Sequence, residues 1–142
     1  MATVEIKSIN NDSIKISVMA NEQESCGEKY NSNWIHVLIE FNSKGFVGKV
    51  AAHMQTFEFG EFYMQLKKLY ESLQGQAKLE TIEGQIGLTF VGNGRGGITL
   101  SGMIMDKPGI GNELIFNMNL DQSYIPSVLS QLQSLNTEFS IR

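Results

Sequence analysis

The stretch NELIFNMNLDQSYIPSVLSQLQSL, residues 112–135, sets two periodicities back to back. Leu114, Phe116, Met118 and Leu120 alternate with Ile115, Asn117 and Asn119. That period of two predicts a strand with one strongly apolar face. Within a few residues the pattern changes. Asp121-Gln122-Ser123 supplies side-chain oxygens that can accept from the orphan N–H groups of a helix start. Pro126 fits a first helical turn, where a missing N–H costs no intrahelical bond. Ile125, Val128, Leu129, Leu132 and Leu135 then follow at helical spacing and form one apolar stripe. A strand, a corner and an amphipathic helix are thus joined directly. The helix must bury its stripe, and the nearest apolar surface is the sheet that contains the preceding strand.

Working outward, the whole chain has the size of one domain, residues 1–142. At 42% hydrophobic residues it can build an ordinary core without disulfide or metal staples. Fourteen glycines against two prolines point to turns and close strand packing. The net charge of −4 argues against direct nucleic-acid binding, which draws on clustered Lys and Arg, and it suits a basic protein partner. A single cysteine, Cys26, rules out an internal disulfide and favours a reducing compartment. The first residues show no basic segment followed by an apolar run, and no stretch is long and apolar enough to span a bilayer. The expectation is a soluble, cytoplasmic protein without membrane contact.

The N-terminal half reads as strands. Val4 and Ile6, then Ile14, Ile16 and Val18, alternate with polar residues around the turn signal Asn10-Asn11-Asp12. Residues 21–33 are polar, with three glutamates against one lysine, and read as an exposed loop. Trp34 to Phe41 is a strand, Asn42-Ser43-Lys44-Gly45 a turn, and Phe46 to Phe57 a long return strand. Pairing Phe41 with Phe46 sets Ile35 opposite Ala52, Val37 opposite Val50 and Ile39 opposite Gly48, so one face is apolar throughout. The other face mixes Trp34, His36, Leu38 and Glu40 with His53, Ala51, Lys49 and Val47.

Phe59, Phe62, Leu66, Leu69 and Leu73 recur at helical spacing, with Gly75 as the expected helix stop. Short strands follow at Ala77 to Ile82, Ile86 to Val91 and Ile98 to Met105, and residues 136–142 read as a tail or a short added strand. No internal repeat and no linker is visible. About eight strands and two helices, joined largely by short turns, predict an α+β fold: a mainly antiparallel sheet or sandwich with two packed amphipathic helices.

Candidate chemistry is sparse. Gly92, Gly94 and Gly97 spell the dinucleotide-binding G-x-G-x-x-G, but that motif needs a helix after it, and Ile98-Thr99-Leu100-Ser101 reads as a strand. A hairpin loop using glycine for positive φ explains the residues better. His36, His53 and Glu40 share a face, yet the expected register sets the two histidines on a diagonal, too far apart for an evident metal site. Cys26 lies between Glu24 and Glu28, which disfavour a thiolate. Asp121 reads as a cap rather than a catalytic acid. No hydrolase, zinc-protease or Walker pattern is present. These observations predict neither an enzyme nor a cofactor or metal requirement.

The helix Phe59 to Leu73, the strands flanking Gly92 to Gly97, and above all Leu114 to Leu132 with Asp121-Gln122-Ser123-Tyr124-Ile125-Pro126 resemble the WapI-type immunity protein family. Trp34 and the return strand at Gly45-Phe46-Val47-Gly48 are similar in placement. The resemblance spans residues 34–135, with Ile125 where the pattern has Leu, and the region before Trp34 adds nothing to it. It implies a bacterial cytoplasmic antitoxin that binds and neutralises the C-terminal toxin domain, often a nuclease, of a polymorphic or contact-dependent toxin. The matching residues are cap, core and turn residues, so they carry no interface across. From charge, the toxin-binding residues are expected at Glu22, Glu24, Glu28, Tyr30 and Trp34: acidic groups for a basic nuclease face, with aromatic anchors beside them. The alternative is a non-catalytic small-ligand-binding or accessory β-domain using the Trp34, His36 and His53 face. The sequence sets no oligomeric state.

Overall fold

The computed structural model describes residues 2–21 and 34–138. Its order is β1 (Thr3–Lys7), β2 (Ser13–Asn21), β3 (Trp34–Asn42), β4 (Val47–Gln55), α1 (Thr56–Ser72), β5 (Gln74–Glu80), β6 (Ile86–Asn93), β7 (Gly97–Met105), β8 (Glu113–Asp121), a 3-10 turn (Gln122–Tyr124) and α2 (Ile125–Glu138). The strands form two antiparallel sheets, β1-β2-β3-β4 and β5-β6-β7-β8. The expected α+β fold is therefore present. The chain also runs four strands and a helix twice over. This repetition of elements was invisible in the sequence because no residue pattern accompanies it.

Alternation decides which face of each strand is buried. Ile14, Ile16 and Val18 of β2, and Ile35, Val37, Ile39 and Phe41 of β3, face inward. Ile98, Leu100 and Ile104 of β7, and Phe116, Met118 and Leu120 of β8, do the same. Phe41 and Phe116 stack across the two sheets with ring centres 4.3 Å apart. The α1 stripe of Phe59, Phe62, Leu66 and Leu69 is buried, and Phe62 meets Phe90 of β6. The α2 stripe buries Ile125, Val128, Leu132 and Leu135, as its spacing predicts. Asp121 caps the corner before α2, accepting from the Ser123 N–H at 2.7 Å.

Each helix covers the outer strand of the sheet it does not follow. α1 follows β4 and packs on β5, while α2 follows β8 and packs on β1. One glutamine in each helix satisfies the strand edge it covers. Gln131 accepts from the Glu5 N–H at 2.7 Å and donates to the Glu5 carbonyl at 3.1 Å, standing in for a neighbouring strand. Gln65 accepts from the Lys78 N–H at 2.9 Å. The opposite edges are reached by turns. The Ile9 N–H donates to the Asn119 carbonyl on β8, and the buried Gln85 amide donates to the Ala51 carbonyl on β4 and to the Met105 carbonyl. Open strand edges invite pairing with other chains, and these contacts cover part of all four.

Several boundaries differ from the sequence reading. β4 ends at Gln55 because α1 starts at Thr56, where the side chain of Glu58 turns back to accept from the Gln55 N–H at 2.7 Å. α1 stops at Leu73, not through Gly75: Leu73 adopts φ 62° and its N–H donates to the Leu69 carbonyl. The glycine that matters there is Gly92, which lets the Leu73 carbonyl approach the β6 backbone. β5 then begins at Gln74, earlier than expected, and β2 runs on to Asn21. Residues 136–138, expected in a tail, continue α2.

Candidate functional site

The outer face of the first sheet is built row by row from its register. Trp34 lies opposite Gln55, His36 opposite His53, Leu38 opposite Ala51 and Glu40 opposite Lys49. Sequence reasoning assigned these side chains to the correct face but shifted the pairing by two residues. Four residues, Ser43 to Phe46, span the turn, closed by the Ser43 N–H on the Phe46 carbonyl at 2.9 Å and the Phe46 N–H on Ser43 Oγ at 3.1 Å. A shift of two keeps every side chain on its face. It moves the histidines from a diagonal to a direct pair, with ring centres 4.1 Å apart and planes inclined at 55°.

The same register aligns Glu5 of β1, Lys15 of β2, Glu40 of β3 and Lys49 of β4 in one row across the sheet. Opposite charges directly across strands stabilise the pairing by about 0.2–1 kcal/mol each. The row divides the face. On one side lie Trp34, His36, Leu38, Ala51, His53 and Gln55, none a carboxylate or a Lys or Arg. Trp34 is half-buried at the start of β3. The other expected toxin-binding residues, Glu22, Glu24, Glu28 and Tyr30, lie outside the described residues, as does Cys26. In the chain they join the end of β2 to Trp34.

The glycine-rich segment is a hairpin loop. Gly94 and Gly96 have positive φ, and Asn93 Oδ1 accepts from the Arg95 and Gly97 N–H groups at 2.7 and 3.0 Å. It joins β6 to β7, so no helix terminus is available for a pyrophosphate. Among the described residues no three His, Cys, Asp or Glu side chains converge as metal ligands, and no helix is long and apolar enough to cross a membrane.

Two carboxylates have shifted acidity, and both serve the scaffold. Burial pushes the Glu58 carboxyl above its usual range. The Gln55 and Ile82 N–H groups oppose that shift, and the charges of Glu61 and Glu83 add to it. By accepting from Ile82 at 2.7 Å, Glu58 ties the start of α1 to the β5–β6 turn. Asp106 is held below its usual range, chiefly by the Asn112 side-chain amide and then by the Asn112 N–H, which closes the β7–β8 turn. Sequence reasoning missed Glu58, Gln65, Gln85 and Gln131. The three glutamines are single polar residues whose partners lie in distant elements, with no local pattern to mark them; Glu58 closes a local capping box with Gln55, but its second partner, Ile82, is 24 residues away.

A family model described as Immunity protein WapI-like family matches residues 5–140. The match reaches well before Trp34, so β1 and β2 belong to the shared pattern although residue reading drew nothing from them. No curated protein matches the chain significantly. Among solved structures, a chain from crystal structures of trypanosoma bruciei MRP1/MRP2 superposes with a TM-score of 0.51 at 10% identity, over 97% of this chain and 84% of that one. At that identity the likeness concerns the fold alone.

Proposed function

We infer the function from kinship: this chain belongs to the WapI-like immunity protein family. We propose that it binds and neutralises the C-terminal toxin domain of a bacterial polymorphic toxin, in the cytoplasm and without catalysing a reaction. The observation that carries this reading is the family match across residues 5–140. The acidic balance of the chain supports a nuclease as the target. A nuclease must attract phosphates and so presents a basic face, and acidic groups on its inhibitor speed the encounter.

We place the interface on Glu22, Glu24, Glu28, Tyr30 and Trp34. Those glutamates form the densest acidic run in the sequence, and they lead into the part of the sheet face that holds Trp34 and the histidine pair. Trp and Tyr are the residues that most often anchor interfaces.

The test is co-expression with the toxin domain encoded beside this chain, followed by purification of the complex. A stable complex and protected cells are expected. Glu22→Lys, Glu24→Lys and Glu28→Lys together should slow association, and the wild-type rate should fall as salt rises. Absence of any complex overturns the immunity reading. A complex that forms with unchanged kinetics in the triple variant removes only the interface assignment.

A further inference from the structure

We propose that His36 and His53 form a two-point chelating site for a divalent late-transition ion, Cu²⁺ ahead of Ni²⁺ and Zn²⁺. The chain contains two histidines, and the register sets them directly opposite each other on neighbouring strands. Their ring centres are 4.1 Å apart and their planes are inclined at 55°. Two imidazoles that bind one ion through nitrogens roughly 2.0–2.1 Å from it hold their centres about 4–5 Å apart when they are cis, and wider at a tetrahedral angle. The observed spacing falls in the cis range. Cis nitrogen ligation at about a right angle suits the tetragonal preference of Cu²⁺ and Ni²⁺, and Cu²⁺ stands highest in the divalent affinity order.

The surroundings favour the site. β3 is an inner strand, held by β2 and β4, so the spacing of the two histidine backbones is set before any ion arrives. The adjacent rows are Trp34 with Gln55 and Leu38 with Ala51, and none of these side chains carries a charge. Along the strand, the nearest charged row on this face is Glu40 with Lys49, four residues from His36 or roughly 14 Å. The sheet supplies two nitrogens, and the remaining positions of the ion are left for water or for a donor atom of a binding partner. The site does not depend on the immunity reading and would exist in the isolated chain.

The experiment titrates the full, tag-free chain with CuCl₂, NiCl₂, ZnCl₂ and MgCl₂ in a non-coordinating buffer, followed by calorimetry. Expected are one Cu²⁺ per chain, weaker Ni²⁺ and Zn²⁺, and no Mg²⁺. The Cu²⁺ resonance spectrum should report two nitrogen ligands. His36→Gln and His53→Gln, each checked for folding by circular dichroism, should each weaken Cu²⁺ binding at least tenfold, while Cys26→Ser should not. Cu²⁺ should raise the Tm of the wild type and leave that of either histidine variant unchanged, since an ion held only by the native pairing stabilises the native state. The proposal is overturned if the wild type takes up no Cu²⁺, if either histidine variant binds it as tightly as the wild type, or if the loss follows Cys26 instead.

Discussion

Gly102→Ala should be the most informative single perturbation of the fold. Gly102 sits on the inner face of β7, between Leu88 of β6 and Phe116 of β8. A Cβ added there would fall on the Phe116 ring and lie 3.1 Å from Leu88 Cδ2. The other side of the ring has no slack, because Phe116 is stacked on Phe41 of the opposite sheet and both are at most 5% exposed. The new methyl must therefore push the two sheets apart or force Phe116 off its rotamer. Overpacking of this kind costs about 1–3 kcal/mol, and a direct ring overlap belongs in the upper half of that range. Against it, replacing a strand glycine by alanine recovers about 0.5–1 kcal/mol of backbone entropy. The net loss is about 1–2.5 kcal/mol, which for a chain of this size lowers Tm by about 3–8 °C. Urea unfolding followed by tryptophan fluorescence should show a lower midpoint at unchanged slope. Adding Phe116→Leu should make the alanine cheaper, with a coupling of at least about 0.5 kcal/mol. A Gly102→Ala protein as stable as the wild type, or two substitutions that simply add, would refute the account of Phe116 as a ring folded over a missing side chain.

Three further outcomes follow from the scaffold. Because Glu58 has a raised carboxyl pKa in the folded chain, its protonation contributes stability that is fully present below about pH 4.5 and is lost as pH rises through the folded value. Glu58→Gln removes that slope, so the wild type should lose stability relative to the variant from acid to neutral pH in parallel thermal melts. Gln131→Ala should leave the Glu5 N–H without its side-chain acceptor, costing about 0.5–1.5 kcal/mol per lost hydrogen bond and speeding amide exchange at Glu5 more than at Lys78. The buried Thr56 hydroxyl has no hydrogen-bond partner among the described residues, so Thr56→Val should match or exceed wild-type Tm in a calorimetric scan.

The periodic parts of the molecule were legible in the sequence because each is a local property. Leu114 to Leu120 and Ile125 to Leu135 announce a strand and a helix by spacing alone, and both stand where the spacing puts them. The sheet face of His36 and His53 was legible for the same reason. Their direct pairing was not, since it depends on which four residues span the turn, Asn42 to Gly45 or Ser43 to Phe46, and that choice turns on side-chain and backbone hydrogen bonds within the turn. The split into two sheets, and the crossing of each helix to the other sheet, depend on contacts between residues far apart in sequence. Of the expected toxin-binding residues, Trp34 alone falls within the described chain, at the start of the inner strand β3 and next in sequence to the acidic segment.

The clasp between Glu5 and Gln131 joins residues 126 positions apart, and this sets an order of events during synthesis. β1 leaves the ribosome well before α2, the helix that shields its edge. At about 5–20 residues per second, that edge waits roughly 6–25 s for its cover. During this interval the first sheet can pair internally while its outer strand still offers unpaired N–H and C=O groups to any neighbouring chain. Other nascent copies on the same message are then its nearest competitors. The β1 edge becomes resistant to pairing only when α2 arrives.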